Sequence, residues 1–255
     1  MGELIGYEVA DRVAVITINR PEVRNAINYQ AAQEMAEALD RFDSDPEATV
    51  GILTGADGMF CAGMDLKAIS SGGKRPISES RGAFGICTHP PEKPLIAAVE
   101  RFALGGGLEI ALACDLIVVA DDAKLGLPEV KRGLVAAAGG VLRLPRLIPR
   151  AIAKELVLTG DPLSAQRALE LGLVSSVTSP GEALAGARSL AARIAVNAPL
   201  AVRTAKRLVD ESADWSITEA FERQHPLVQV VRESDDAREG ALAFVEKRPP
   251  VWTGK

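Results

Sequence analysis

Histidine, cysteine and aromatic residues are scarce in this sequence, and each shortage removes a class of function. The 255 residues hold two histidines, His89 and His225, and three cysteines, Cys61, Cys87 and Cys114. Two imidazoles do not make a histidine metal cage, and the cysteine spacing fits no zinc pattern, so no metal is expected. Three thiols cannot all pair, which predicts a reducing cytoplasm. Basic blocks are missing too. Lys and Arg number 29 against 34 Asp and Glu, a net charge of −5, so neither nucleic acid nor an anionic membrane is expected as a partner. The longest apolar runs are broken by glycine or charge well short of a bilayer span. The N-terminus shows no signal-peptide pattern, and Met1-Gly2 opens like a myristoylation signal but has Gly6 where Ser or Thr is wanted.

Glycine, by contrast, is placed with purpose. In Ala103-Leu104-Gly105-Gly106-Gly107-Leu108-Glu109-Ile110-Ala111-Leu112, three glycines run into an apolar helix with one carboxylate in its first turn. Such a run exposes free backbone N–H groups at the positive end of a helix, an arrangement suited to an anion or oxyanion. Glu109 sits beside it as a candidate acid or base. A tight turn with a dipole-favoured Glu explains the same residues, so both readings stand on this segment alone. Phe60-Cys61-Ala62-Gly63-Met64-Asp65-Leu66 is a second glycine loop entering a helix. N–H groups from Met64 and Gly106, if brought together, would grip one carbonyl oxygen.

A second carboxylate, Glu129, follows Leu127-Pro128, with helix, strand and turn between it and Glu109. That length of chain returns to the same end of a sheet. Two glutamates there would hold one water, the first taking its proton while the second gives a proton to the substrate. Close approach would push their pKa values apart. Both also suit helix starts for dipole reasons alone. Arg20 and Arg24 before the second loop, and Lys67, Lys74 and Arg75 after it, are candidates for an anionic ligand, with plain surface charge the simpler reading for Lys74 and Arg75.

Periodicity predicts strands at 13–18, 50–54, 95–99, 116–120 and 173–177, and helices at 29–42, 106–113, 139–147, 151–158 and 165–171. A short helix is expected through 81–87, and 70–76 reads as a mobile surface loop. Ser164 is a natural N-cap, and Pro128 fits a first helical position. From Gly181 on, only helical periods remain: 182–196, 199–211, 216–233 and 235–247. The fold class is therefore α/β, a core over 1–197 followed by a helical region over 198–255. The four short helices from 182 onward have little core of their own, so this tail is expected to pack on the body or on another copy of the chain.

Taken in order, Asn19-Arg20-Pro21, Arg24-Asn25-Ala26, the 60–66 loop, Lys93-Pro94-Leu95-Ile96-Ala97-Ala98-Val99, Gly105-Gly106-Gly107-Leu108-Glu109, Cys114-Asp115, Pro128-Glu129 and Gly139-Gly140 resemble the enoyl-CoA hydratase/isomerase (crotonase) family over essentially the whole chain. The resemblance implies a spiral of ββα units with C-terminal helices that build a homotrimer or a dimer of trimers. It implies that Met64 and Gly106 supply the oxyanion hole for a thioester oxygen. Glu109 and Glu129 fall at both catalytic glutamate positions of the hydratases. Arg24, Ala26, Ala62, Asp65, Leu66 and Lys67 match the region lining the coenzyme A arm, and Lys247 matches a residue that reaches a nucleotide phosphate across a subunit boundary.

The implied activity is reversible addition of water to a 2-enoyl-CoA thioester giving a 3-hydroxyacyl-CoA, with no cofactor beyond the coenzyme A of the substrate. An acyl-CoA dehydratase of the carnitinyl-CoA dehydratase type, a Δ3,Δ2-enoyl-CoA isomerase using one glutamate and a non-catalytic acyl-CoA-binding protein are the alternatives. One departure stands out. Hydratases of the family commonly carry Pro-Gly-Ala-Gly-Gly-Thr-Gln after the second glutamate, whereas this chain has Ala136-Ala137-Ala138-Gly139-Gly140-Val141-Leu142. With Arg143-Leu144-Pro145 following, the stretch is more similar to the carnitinyl-CoA dehydratase branch.

Overall fold

The computed structural model describes residues 3–255; the Met1-Gly2 myristoylation pattern lies outside them. Strands β1 (Ile5–Ala10), β2 (Val13–Ile18), β3 (Val50–Gly55), β6 (Leu95–Val99), β8 (Leu116–Ala120) and β11 (Ser176–Thr178) form one sheet in that spatial order. The β1–β2 pair is antiparallel and the others are parallel. A second sheet has β7 (Phe102–Leu104) beside β9 (Lys124–Gly126), with β10 (Leu163–Ser164) on its far side. Strands β4 (Ile77–Ser78) and β5 (Gly82–Ala83) make a small hairpin. Helices α1 (Tyr29–Ser44), α2 (Leu66–Ser70), α3 (Gly106–Ala111), α4 (Gly140–Leu147), α5 (Arg150–Thr159), α6 (Ala165–Glu170) and α7 (Ala183–Ala195) alternate with them, and α8 (Pro199–Ser212), α9 (Ile217–Arg232) and α10 (Asp235–Glu246) follow.

The parallel strands are apolar on both faces because both faces are covered. Val13, Val50, Ile52, Ile96, Ala98 and Val118 point one way, against Ala183, Ala187, Ala191 and Ala195 of α7. Alanine every fourth residue is one stripe of a helix, small enough to let α7 lie close on the sheet. The alternate residues, among them Ile16, Leu53, Ala97 and Val119, face the larger core with Met35, Leu39 and Phe42 of α1. Asn28 caps α1 through Ala31 N–H, and Ser164 caps α6 through Arg167 N–H as its sequence position predicts.

Two expectations need correction, and one strand is additional. No helix forms over 81–87: Gly82, Phe84 and Gly85 all have positive φ (74°, 56° and 74°), and the segment turns sharply after β5. A Cβ on Gly85 would lie 2.1 Å from the Ala32 carbonyl oxygen, so this loop is pressed onto α1 and tertiary packing overrides local preference. The last strand begins at Ser176, three residues later than its apolar run, because Leu173 and Val174 enter the core as a turn. Strand β1 had gone unread.

The tail differs in kind. Neither α8 nor α9 has a buried residue, and Ile217, Phe221, Phe244 and Val245 are exposed. The C-terminal strap is fixed by Asp236, whose carboxylate accepts from Thr253 and Gly254 N–H. Among the described residues no helix is long and apolar enough to cross a membrane.

Candidate active site

The two glycine loops meet. Cys61 bridges to Ala103 and Met64 to Ile27 in short parallel pairings. Leu104 N–H donates to Cys61 O at 3.2 Å, and a Cβ on Gly107 would lie 2.2 Å from that same carbonyl. A Cβ on Gly63, at φ 96°, would lie 3.0 Å from Gly106 N. Bare glycine backbone on both sides is what lets Met64 and Gly106 become neighbours. Among the described residues, neither the Met64 nor the Gly106 N–H donates to a protein acceptor. Two adjacent, uncommitted amides, one of them at the N-terminus of α3, form a place for developing negative charge.

Glu109 is buried, and its Oε1 accepts from Ala138 N–H at 2.7 Å and Gly140 N–H at 2.9 Å. The Ala136-Ala137-Ala138 departure thus leaves a donor in place at position 138. A Cβ on Gly140 would press on the Glu109 Cγ at 3.1 Å and on Leu127, so a side chain there would push on the carboxylate's own stem. Glu129 projects from a 3-10 turn (Pro128–Arg132) with Pro128 at its first position. Its Oε1 lies 3.0 Å from where a Gly105 Cβ would stand. Its Oε2 is buried with no hydrogen-bond partner among the described residues. Both carboxyls are pushed above the ordinary range, chiefly by burial; the two N–H donors and Arg143 pull Glu109 back against the added push of Glu129, and Glu129's own backbone N–H and Arg132 pull Glu129 back. The pair therefore flanks the two free amides, one carboxyl well bonded and one orphaned.

The residues expected along a coenzyme A arm come together in part. Ala62 N–H donates to Arg24 O, Ile27 N–H to Gly63 O and Asp65 N–H to Ile27 O, so segments 24–27 and 62–65 run side by side. Arg24, Leu66 and Lys67 are exposed along this seam, with Ala26 buried and Ala62 half-buried. Asp65 turns inward: one oxygen caps α2 through Ala68 N–H, and the other pairs with Arg20 at 3.1 Å. Arg20, expected among the cations for an anionic ligand, is instead buried and also donates to the Ala26 carbonyl. Its job is internal: against the opposing effect of burial, the Ala68 N–H and then this guanidinium draw the Asp65 carboxyl below the usual range. Lys247, in a left-handed C-cap at φ 54°, is exposed far along the chain from this seam.

Phe84, Gly63 and Arg143 escaped sequence reasoning. A Cβ on Gly106 would lie 2.3 Å from the Phe84 Cζ, so the ring tip rests on the glycine that offers its amide. A lone Phe between glycines gave no signal of that contact. Among the described residues, no cluster of His, Cys, Asp and Glu able to hold a metal exists.

The enoyl-CoA hydratase/isomerase family model matches residues 8–255. The chain belongs to that family. It is similar to a carnitinyl-CoA dehydratase of Proteus mirabilis, 42% identical over 262 residues with all of both chains covered. Among solved structures it is similar to an enoyl-CoA hydratase of Mycobacterium marinum (53% identity, TM-score 0.96) and one of Mycobacterium tuberculosis (52%, 0.97), each covering both chains fully. The crotonase fold expected from the motifs is the fold of this family member.

Proposed function

We propose that this crotonase-family enzyme is a hydro-lyase that adds water to a 2-enoyl-CoA thioester and catalyses the reverse dehydration. One observation carries the reading: two carboxyls raised by burial flank a pair of uncommitted amides, and their environments differ. Glu109, held by two N–H donors, is set up as a carboxylate. Glu129, desolvated and with an unpartnered oxygen, is set up as a carboxylic acid.

In the forward direction the thioester oxygen sits on the Met64 and Gly106 amides, which draws electrons from C3. Glu109 takes a proton from water as its oxygen bonds to C3. Glu129 gives its proton to C2, and the electron pair of the C2–C3 double bond becomes the new C2–H bond. Each amide contributes about 3 kcal/mol to the enolate-like transition state, by the measure of other oxyanion holes. No metal or redox group enters these steps. Arg24, Ala26, Ala62, Leu66 and Lys67 would line the coenzyme A arm, with Asp65 shaping that seam from within.

The finer substrate follows the relatives. Full-length similarity to a carnitinyl-CoA dehydratase, together with the 140–145 stretch, favours a 3-hydroxyacyl-CoA carrying a polar acyl chain over a plain fatty acyl chain. The test is a panel of crotonyl-CoA, a long straight-chain 2-enoyl-CoA and crotonobetainyl-CoA, followed by loss of the enoyl thioester absorbance. Hydration of at least one supports the reading, and the ranking assigns the acyl class. No turnover of any, with acyl-CoA still bound, would move the protein to the non-catalytic alternative. A shifted double bond without hydration would make it an isomerase. We assign residues 198–255 to self-association in a cytoplasmic trimer or dimer of trimers, on the strength of the uncovered apolar residues of α9 and α10; sedimentation as a monomer at micromolar concentration would refute that.

A further inference from the structure

We propose that Arg143 is a positioning residue of this site, bracing the 138–140 turn that holds Glu109 and tying that turn to the loop whose Phe84 packs on Gly106. The inference rests on the hydro-lyase reading above. Arg143 lies in the first turn of α4, where its N–H donates to Gly139 O at 2.8 Å. Its side chain folds back under the same turn. A Cβ on Gly139, at φ 111°, would lie 2.2 Å from the Arg143 Nη1, so the guanidinium fills the space beside that glycine. Gly139 stands between Ala138 and Gly140, the two donors to Glu109.

The other arm reaches across the site. Arg143 Nη2 donates to Cys87 O at 2.7 Å. Cys87 N–H donates to Ala83 O at 3.0 Å, closing a turn that contains Phe84. One planar guanidinium therefore joins the carboxylate side of the site to the wall of its oxyanion side. A flat, rigid group that fills the space beside Gly139 with one edge and donates to Cys87 O with the other suits arginine and not lysine.

The charged surroundings are mixed. Glu109 feels Glu129 from the 128–132 turn and Arg143 from α4, and Arg143 favours its ionised form. On the outer side Arg143 faces Asp210 of α8, beside Lys206 and Asp115, whose Nζ and Oδ2 are 2.8 Å apart. The Cys87 and Cys114 thiols nearby are pushed up by burial and stay neutral at working pH.

The experiment compares wild type with Arg143→Met and Arg143→Lys. It measures the pH dependence of kcat/KM on crotonyl-CoA, the absorbance band of bound hexa-2,4-dienoyl-CoA, and thermal unfolding. Arg143→Met is expected to lower kcat about ten- to hundredfold, the range for groups that orient a reacting shell. Its acid limb moves to higher pH, since Glu109 loses its cation, and the red shift of the dienoyl band shrinks as Gly106 loosens. Arg143→Lys keeps the charge without the fork, so it restores the acid limb but not the band. A folded Arg143→Met with both readouts at wild-type values overturns the proposal. So does a loss of activity that leaves the limb and the band in place. If Arg143→Met does not fold, a Lys variant matching wild type in the band overturns it. The band needs no turnover: wild type that shifts the band without hydrating any member of the acyl-CoA panel refutes the hydro-lyase reading while Arg143 is still tested. Wild type that does neither overturns both.

Discussion

Glu109 and Glu129 are the same residue in the same cleft, yet one is tied down and the other is not. Glu109 hangs from a helix and is gripped by two backbone donors on a turn that a third element braces. Glu129 stands on a short 3-10 turn, its Oε1 close to Gly105 and its buried Oε2 unpartnered. Burial raises both. What separates them is the source of hydrogen bonding: two N–H donors from a distant turn hold Glu109, whereas Glu129 is helped by its own backbone N–H and keeps one oxygen unpartnered. An acid and a base can thus be made from one residue type by backbone placement.

Removing either carboxyl should give the largest effect. Glu109→Gln and Glu129→Gln are each expected to lower kcat by about 10²–10⁴, with acyl-CoA affinity kept. If the division of labour holds, the residual activity of Glu109→Gln loses its acid limb and that of Glu129→Gln its alkaline limb; the same limb lost from both would erase the contrast. Next comes the grip itself. Ala138→Pro deletes one donor to Glu109, and a bond to a charged group is worth about 1.5–3 kcal/mol. A fall in kcat of roughly ten- to hundredfold should follow, with the acid limb moved up in pH. A smaller loss is expected from Gly105→Ala, whose new methyl would crowd Glu129 Oε1 and strain a backbone at φ 55°; Glu109's limb should stay put.

The next effect falls on stability. A carboxyl whose native pKa is raised binds its proton more tightly when folded, so its contribution is full at low pH and is lost as pH rises through the raised value. Glu109→Gln should therefore flatten the decline in stability that begins as pH rises above the ordinary carboxyl range, and unfold at higher denaturant than wild type once Glu109 is ionised. Equal midpoints would show that the two N–H donors already offset the burial. The smallest expected effect is none: dialysis against a chelator should leave kcat unchanged.

Much of this was legible before any coordinates. Strands β6 and β8 were read to the residue, because a strand covered on both faces is a plain apolar run. Strand β1 is half-covered, and Gly6 and Glu8 interrupt its apolar residues, so it gave a weaker pattern. The motifs placed Glu109, Glu129, Met64 and Gly106 in one list, but not at one place; their meeting depends on glycines whose necessity lies in what a Cβ would strike. Arg20 misled for the same reason. Its partner Asp65 is 45 residues away, and nothing local distinguishes a buried arginine from a surface one. Phe84 is held in a positive-φ turn by Gly85 against α1, a long-range constraint that no local period announces.

The main sheet has one more consequence. Its spatial order, β1-β2-β3-β6-β8-β11, is also chain order. Each strand made by the ribosome joins the edge left by the one before, and no later strand must be threaded between earlier neighbours. The growing chain therefore carries an open edge that advances with synthesis, from β3 to β6 to β8, until β11 occupies it. Unpaired edges template association between chains, so the interval between β8 and β11, some 55 residues of mostly helical sequence, is when the nascent protein has most to gain from a chaperone.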